Sequence, residues 1–173
     1  MADIKEKLKK YIDKYLKEEN LVCNELNVKE SRVCADIAFA PHRAYSAKSI
    51  PIDDFIKENE DLNKFQTVLF RMIEERNLNE SDVYNKVHLD RRLFSKIRSD
   101  KNYHPSKETV ILLGLSLELS VKELEELLDS AAYSLPKNNH YDLIIRFCFV
   151  NRIYDVNTVN DLLYEYNCKL FNY

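Results

Sequence analysis

The side chains in this sequence that best suit a chemical role are basic and lie close together. Six of them fall between positions 90 and 107: Arg91, Arg92, Lys96, Arg98, Lys101 and Lys107. Only Asp90 and Asp100 oppose them, so the segment carries a net charge of +4 in a chain whose formal net charge is −3. A guanidinium group forms two parallel hydrogen bonds with a phosphate or with a guanine edge. The segment is therefore a candidate surface for nucleic acid, with a solvated basic helix as the plain alternative.

The residue types that catalyse reactions or bind metals are scattered along the chain. The four cysteines lie far apart and form no Cys-x-x-Cys pair, and none of the four histidines has a cysteine or carboxylate at a motif spacing. The single glycine, Gly114, is too little for a Gly-rich phosphate loop or a dinucleotide-binding fingerprint, since both place several glycines against phosphate. We therefore expect no catalytic site, no metal ion and no cofactor, and we expect reduced thiols.

Composition indicates where the protein resides. Hydrophobic residues make up 45% and charged residues 32% of the chain, which is the balance of an ordinary folded protein. The amino terminus, MADIKEKLKK, is charged from its first residues, and no apolar run approaches the ~20 residues of a membrane span. We expect a soluble, cytoplasmic protein that has no membrane partner.

Apolar residues recur with the helical period through most of the chain. One glycine and four prolines favour helices over a β-rich fold, which uses glycine in its turns. The pattern predicts helices over 2–20, 51–59, 62–77, 80–87, 91–99, 107–117, 121–133, 141–150 and 158–167. The predicted N-caps are Asn79, Asp90, Ser106, Ser120 and Asn157. Ser120 and Glu123 also match a capping box. We predict an all-α fold in which residues 21–50 are the least regular.

Five of these helices, over residues 62–133, resemble the helix-turn-helix domain of the phage-repressor family. Five apolar residues fall where that family packs its second and third helices together: Val83, Val87, Leu89, Phe94 and Ile97. The segment SDKNYHPSKET is similar to the loop after the family's recognition helix, and LSLELSVKELEELL is similar to its last two helices. The resemblance implies a five-helix core at 61–135, an N-terminal helical extension at 1–60, and two closing helices at 136–173 that pack on the core or form an interface.

The same resemblance implies a DNA-binding transcription regulator. Four residues of the basic segment occupy the positions that face bases in the family: Arg91, Arg92, Ser95 and Lys96. Five more fall where phosphate contacts are expected: Arg98, Lys101, Tyr103, His104 and Lys107. Because repressors of this kind match a two-fold dimer to a palindromic site, we expect a homodimer on DNA.

Two positions depart from the family's pattern. The family's tight turn holds a glycine in a left-handed conformation, and here the residue is His88, which tolerates that region better than most. Where the family prefers alanine, this chain has Tyr84, which must swing outward or push the two helices apart. Four acids on the helix from residue 121 should also make the neighbouring surface acidic: Glu123, Glu125, Glu126 and Asp129.

A helical adaptor that binds another protein is the alternative function. The closing segment YDLIIRFCFVNRIYDVNTVNDLLYEYNCKLFNY carries eight aromatic residues, which either pack back on the core or form an interface. Together, YIDKY, DRRLFSKIRSDKNYHPSK and YDLIIRFCFVNRIYDVNTVNDLL resemble a carboxy-terminal module that follows macrodomains in some bacterial proteins. That resemblance implies a module that travels with other domains. In this interpretation the basic helix docks on an acidic protein.

Overall fold

The structure, a computed structural model, describes residues 3–16, 65–100 and 103–172. Within these ranges the regular structure consists of helices without any strand, which confirms the predicted all-α class. The helices are α1 (residues 3–16), α2 (Phe65–Glu75), α3 (Glu80–Lys86), α4 (Arg91–Ser99), α5 (Lys107–Ser116), α6 (Val121–Ser130), α7 (His140–Val150) and α8 (Val156–Glu165). The helix predicted over 51–59 and the irregular stretch 21–50 lie outside the described residues.

Most of the predicted N-caps are present. The Asp90 carboxylate accepts a hydrogen bond from the backbone N–H of Arg92 at 2.7 Å, which starts α4. Ser106 caps α5, and Ser120 forms the full capping box that starts α6. Asn79 occupies the N-cap position of α3, but its side chain accepts no backbone hydrogen bond there. Local side-chain chemistry thus sets the starts of three helices directly.

The N-cap predicted for the last helix is wrong. Helix α8 begins at Val156, and its cap is Asp155 rather than Asn157. The Asp155 carboxylate accepts hydrogen bonds from the hydroxyl and backbone N–H of Thr158, at 2.7 and 2.8 Å, and these bonds lower the pKa of Asp155. The earlier start allows Val156 to be buried in the core, because it places that side chain on the inner face of the first turn.

Helix α5 lies at the centre of the fold. Every residue from Thr109 to Ser116 is buried, so this helix is covered on all sides, and α3 and α6 pack against it. Gly114 permits the close approach of its neighbours. A β-carbon there would lie 2.8 Å from Leu124 Cδ1 and 3.3 Å from Phe149 Cζ. The single glycine of the chain is therefore used for packing in the core rather than for a turn.

The amino-terminal helix and the closing helices pack on the same core. Leu8 and Ile12 of α1 are buried, and the Tyr11 ring lies 5.4 Å from the ring of Phe147 in α7. After α8 the chain folds back, and both backbone polar groups of Phe171 bond to the side-chain amide of Asn160. One hydrophobic cluster consequently runs from α1 to the end of the described chain. None of the helices in the described ranges has the length and apolar character that a membrane crossing requires.

Candidate nucleic-acid interface

Helices α3 and α4 are joined by a tight turn at the position that the resemblance identifies. Val83 and Val87 are buried on one side, and Phe94 and Ile97 are buried on the other. Between them His88 has a φ of 55°, the left-handed conformation expected where the family holds glycine. Histidine thus takes the backbone conformation that the turn requires, at a cost of about 1–2 kcal/mol relative to glycine.

Tyr84 lies in the contact between α3 and α4. It is half-buried, and its ring centroid is 5.7 Å from that of Phe94, which in turn meets the edge of Phe70 at 6.1 Å. These separations are those of favourable aromatic pairs. The tyrosine therefore neither leaves the interface nor breaks it. An aromatic contact takes the place of the close approach that alanine would allow.

One face of α4 is buried and the opposite face is exposed and basic. Helical geometry turns the chain by about 100° per residue, which sets Phe94 and Ile97 inward. The outward residues are Arg91, Arg92, Ser95, Lys96 and Ser99. In the described parts of the chain no acidic residue forms an ion pair with the three cations of this face. We call these five residues the reading face.

Four of them are the predicted base-facing residues, and the structure brings all four to one surface. Ser99 was missed, although it follows Arg91 and Ser95 at four-residue intervals, the spacing that keeps side chains on one side of a helix. The two serines lie between the cations. Their short side chains permit a close approach of the helix backbone to a partner surface.

The residues predicted to contact phosphate have more varied surroundings. Arg98 forms an ion pair with Glu80 of α3, and its guanidinium carbon lies 5.5 Å from the centre of the Phe70 ring. Lys107 donates to the Asp142 carboxylate at 2.6 Å, and Asp142 is only 4% exposed. Both cations are therefore engaged within the protein.

The loop after α4 holds the remaining predicted phosphate contacts. Tyr103 is half-buried, burial raises its pKa, and the ammonium group of Lys96 lies 5.2 Å from its ring centre. His104 is exposed and lies edge-on to Tyr133 at 5.3 Å. Lys101 lies outside the described residues. Of the predicted phosphate contacts in this loop that the structure describes, His104 is exposed and the ring of Tyr103 packs against the ammonium group of Lys96.

Three of the four acids of α6 pair with arginines, while Glu125, Glu126 and Asp129 remain exposed. Glu123 pairs with Arg76, Glu125 with Arg146, and Glu126 with Arg71. Burial raises the pKa of Glu123, but hydrogen bonds from Ser120 and the Arg76 ion pair outweigh it, so the net shift is downward.

Those three pairs connect α6 to Arg71 of α2, to Arg76 just after that helix, and to Arg146 of α7. Three of the four carboxylates that were expected to make this surface acidic thus have an arginine partner, in pairs that remain partly exposed to solvent. Asp129 remains as an exposed acid of this helix. The electrostatic objection to DNA binding is correspondingly weaker than the sequence alone indicates.

The thiols of the described chain are unsuited to nucleophilic chemistry. Burial raises the pKa of Cys148 to about 12 and also raises that of Cys168, so both are protonated at neutral pH. Within the described ranges no group of three or more His, Cys, Asp or Glu side chains is arranged to hold a metal ion. The reading face is therefore the best-defined candidate site.

Comparisons with known proteins add nothing to this geometry: no protein-family model, no curated protein and no solved structure matches the chain. The candidate interface is therefore defined by three features: the exposed cations of α4, the buried side chains of Phe94 and Ile97 behind them, and the left-handed turn at His88. Any function assigned to it has to follow from the chemistry of those groups.

Proposed function

We propose that this protein is a non-enzymatic regulator that binds DNA by placing α4 in the major groove. The observation that carries the proposal is the exposure of three cations, Arg91, Arg92 and Lys96. They share one exposed face of a helix whose opposite face is buried, and within the described residues no acid pairs with them. A major groove admits one helix, and arginine pairs with guanine through two hydrogen bonds.

The surroundings of α4 also support a DNA partner. The helix itself carries four basic residues and no acid, and three of the four acids of α6 pair with arginines. Ser95 and Ser99 leave room for close contact with base edges. DNA offers one negative charge per ~1.7 Å of its axis, so a short basic helix meets several charges at once.

A protein-interaction adaptor is the second candidate function, and two exposed side chains favour it. Tyr164 of α8 is 75% exposed and Val150 of α7 is 53% exposed. The other aromatics described in the closing segment are buried or half-buried: Tyr141, Phe147, Phe149, Tyr154, Tyr166 and Phe171. They pack back on the core, which leaves the adaptor with few aromatic anchors.

We propose a homodimer as the DNA-binding form. A single α4 neutralises only a few phosphates, and binding by so few contacts is weak at physiological salt. Two copies related by a two-fold axis would place their α4 helices about 34–36 Å apart, one turn of the duplex, and would match a palindrome. The candidate contacts between the two copies are Tyr164 of α8 and Val150 of α7, because both are large apolar side chains that are exposed.

The test is duplex selection from random sequence, followed by affinity measurements across a salt series with the mass recorded by light scattering. The wild-type protein should enrich a palindrome, and log K should fall with log salt at about −0.9 per neutralised phosphate. Arg91→Ala with Arg92→Ala should lower the affinity at least about 30-fold, because each arginine–guanine pair contributes about 1–3 kcal/mol. Lys9→Ala with Lys122→Ala removes the same charge from exposed helix positions and should change little.

Either of two results would reject the DNA proposal. One is the absence of duplex enrichment at low salt. The other is a double variant at Arg91 and Arg92 that stays folded and binds as tightly as the wild type. In both cases the exposed residues of α7 and α8 would become the leading candidate site, and the basic helix would be a docking surface for an acidic protein.

A further inference from the structure

A polar cleft separates α3 from the edge of α4. Its volume is about 280 Å³. The side chains that matter for its chemistry are Glu80, Ser81 and Tyr84 of α3 and Arg91, Ser95 and Arg98 of α4. Two guanidinium groups and three hydroxyl groups therefore line a single recess, which shares Arg91 and Ser95 with the reading face.

The α4 side of the cleft is a row of donors. Arg91, Ser95 and Arg98 are spaced by four and three residues, so they lie one above another on the same side of the helix. At 1.5 Å per residue the two arginines are about 10 Å apart along the axis, so Arg98 can contact the duplex backbone while Arg91 stays with the reading face. Guanidinium and hydroxyl donors together are the groups that bind phosphate oxygens in proteins.

An oxyanion already occupies one end of this row. The Glu80 carboxylate forms an ion pair with Arg98, while the Phe70 ring lies beside the same guanidinium group. Glu80 supplies the one carboxylate among the described residues that line the cleft. Arg91, at the other end, forms no ion pair in the described ranges. The cleft thus holds two cations and one internal anion.

We propose that the α3–α4 cleft binds one phosphodiester group of a DNA backbone, and that Glu80 is its intramolecular competitor. On binding, Arg98 exchanges the Glu80 carboxylate for a phosphate oxygen, and the hydroxyls of Ser81 and Tyr84 complete the site, which leaves Arg91 and Ser95 to the base edges. The inference rests on the proposed function, because the duplex is the source of the phosphate. With α4 in the major groove, the first helix of the pair crosses the backbone, which brings this edge to the phosphates.

The exchange has a measurable ionic consequence. A phosphate that is neutralised by a free cation releases its counterion, which adds about −0.9 to the slope of log K against log salt. When Arg98 leaves Glu80 to reach the phosphate, the freed carboxylate takes up a cation and cancels that release. The wild-type slope should therefore lack the contribution of Arg98, and removing the Glu80 charge should restore it.

The experiment measures the affinity of the full chain for its selected duplex across a salt series. Glu80→Gln should bind about two- to fivefold more tightly near 0.1 M salt, the range that an exposed ion pair spans, and its slope should be steeper by about 0.9. Asp82→Asn is the matched control, since it removes the same charge from α3 at an exposed position outside the cleft. It should change neither quantity appreciably.

A second pair of variants isolates the role of Arg98. In an Arg98→Ala background, Glu80→Gln should give no gain, because no cation is released for the phosphate. Glu80 and Arg98 are 33% and 59% exposed as side chains, so neither substitution should unfold the protein, and a thermal melt of each variant verifies this.

The outcomes separate the two proposals. A Glu80→Gln variant that binds no more tightly than the wild type, or a gain that persists without Arg98, would overturn the cleft proposal while DNA binding stands. Equal gains from Glu80→Gln and Asp82→Asn would also overturn it, since they would reflect total charge alone. If no variant binds the duplex at low salt, the proposed function fails and the cleft proposal fails with it.

Discussion

Substituting Lys107 by methionine tests whether this residue serves the fold or the DNA backbone. Its ammonium group donates to Oδ1 of Asp142 at 2.6 Å, and Asn139 donates to the other carboxylate oxygen at 2.8 Å. Methionine keeps an unbranched apolar stem but removes the charge. The carboxylate of Asp142, 4% exposed as a residue, would then be left with its asparagine partner alone.

The size of the effect follows from those surroundings. Removing one partner of a buried ion pair typically costs about 3–5 kcal/mol. The Lys107 side chain is 26% exposed, so water reaches the vacated position. Asp142 also lies in the first turn of α7, where the helix dipole favours a negative charge by up to ~2 kcal/mol. We therefore expect a loss of about 2–3 kcal/mol, which lowers Tm by about 4–12 °C in a chain of this size.

Urea denaturation followed by circular dichroism measures that loss. The double variant Lys107→Met with Asp142→Met should recover most of the stability, because replacing both partners of a buried pair by apolar residues is often neutral. A Lys107→Met protein with an unchanged Tm, and with a salt slope for DNA binding reduced by about 0.9, would refute this account. It would show instead that Lys107 contacts phosphate, as the family resemblance implies.

Three further predictions concern backbone strain, packing and pH. Ala132, which follows the C-cap of α6, has a φ of 56°, so Ala132→Gly should raise the unfolding free energy by about 0.5–1 kcal/mol in urea titrations. Gly114→Ala should lower it by about 1 kcal/mol, because overpacking against Leu124 (~1–3 kcal/mol) outweighs the gain in helix propensity (~1 kcal/mol). Burial raises the pKa of Tyr11 to about 12, so the folded state holds this proton more tightly than the unfolded state. Stability should therefore fall as pH rises from about 10 towards 12, and tyrosinate absorbance should report Tyr11 ionising late.

The parts of the fold that the sequence predicts well depend on contacts within a few residues. Asp90, Ser106 and Ser120 bond to backbone groups two or three positions later, so the residue type and its place before an apolar period suffice. The exposed face of α4 follows from helical periodicity for the same reason. Even there the prediction stopped at Lys96, although the same period includes Ser99.

Contacts between residues that are far apart in the chain could not be predicted from the sequence alone. The start of α8 depends on the burial of Val156, and two suitable caps, Asp155 and Asn157, lie within three positions. Arg71 and Glu126 are 55 residues apart, and nothing local indicates that they pair. Glu125, Glu126 and Asp129 are exposed as the sequence indicates, but a count of charge along the helix missed the arginines that pair with three of its four acids.

The same limitation explains why the basic segment and the reading face differ. A count along the chain treats its six cations as equivalent, yet the structure divides those it describes into two classes. Arg98 and Lys107 are held by Glu80 and Asp142, whereas the cations of the reading face have no acidic partner in the described ranges. An acidic chain of net charge −3 can present a DNA-binding surface if its own carboxylates are occupied elsewhere. The pairs that hold Arg98 and Lys107 therefore determine which cations are exposed without an internal partner before a ligand binds.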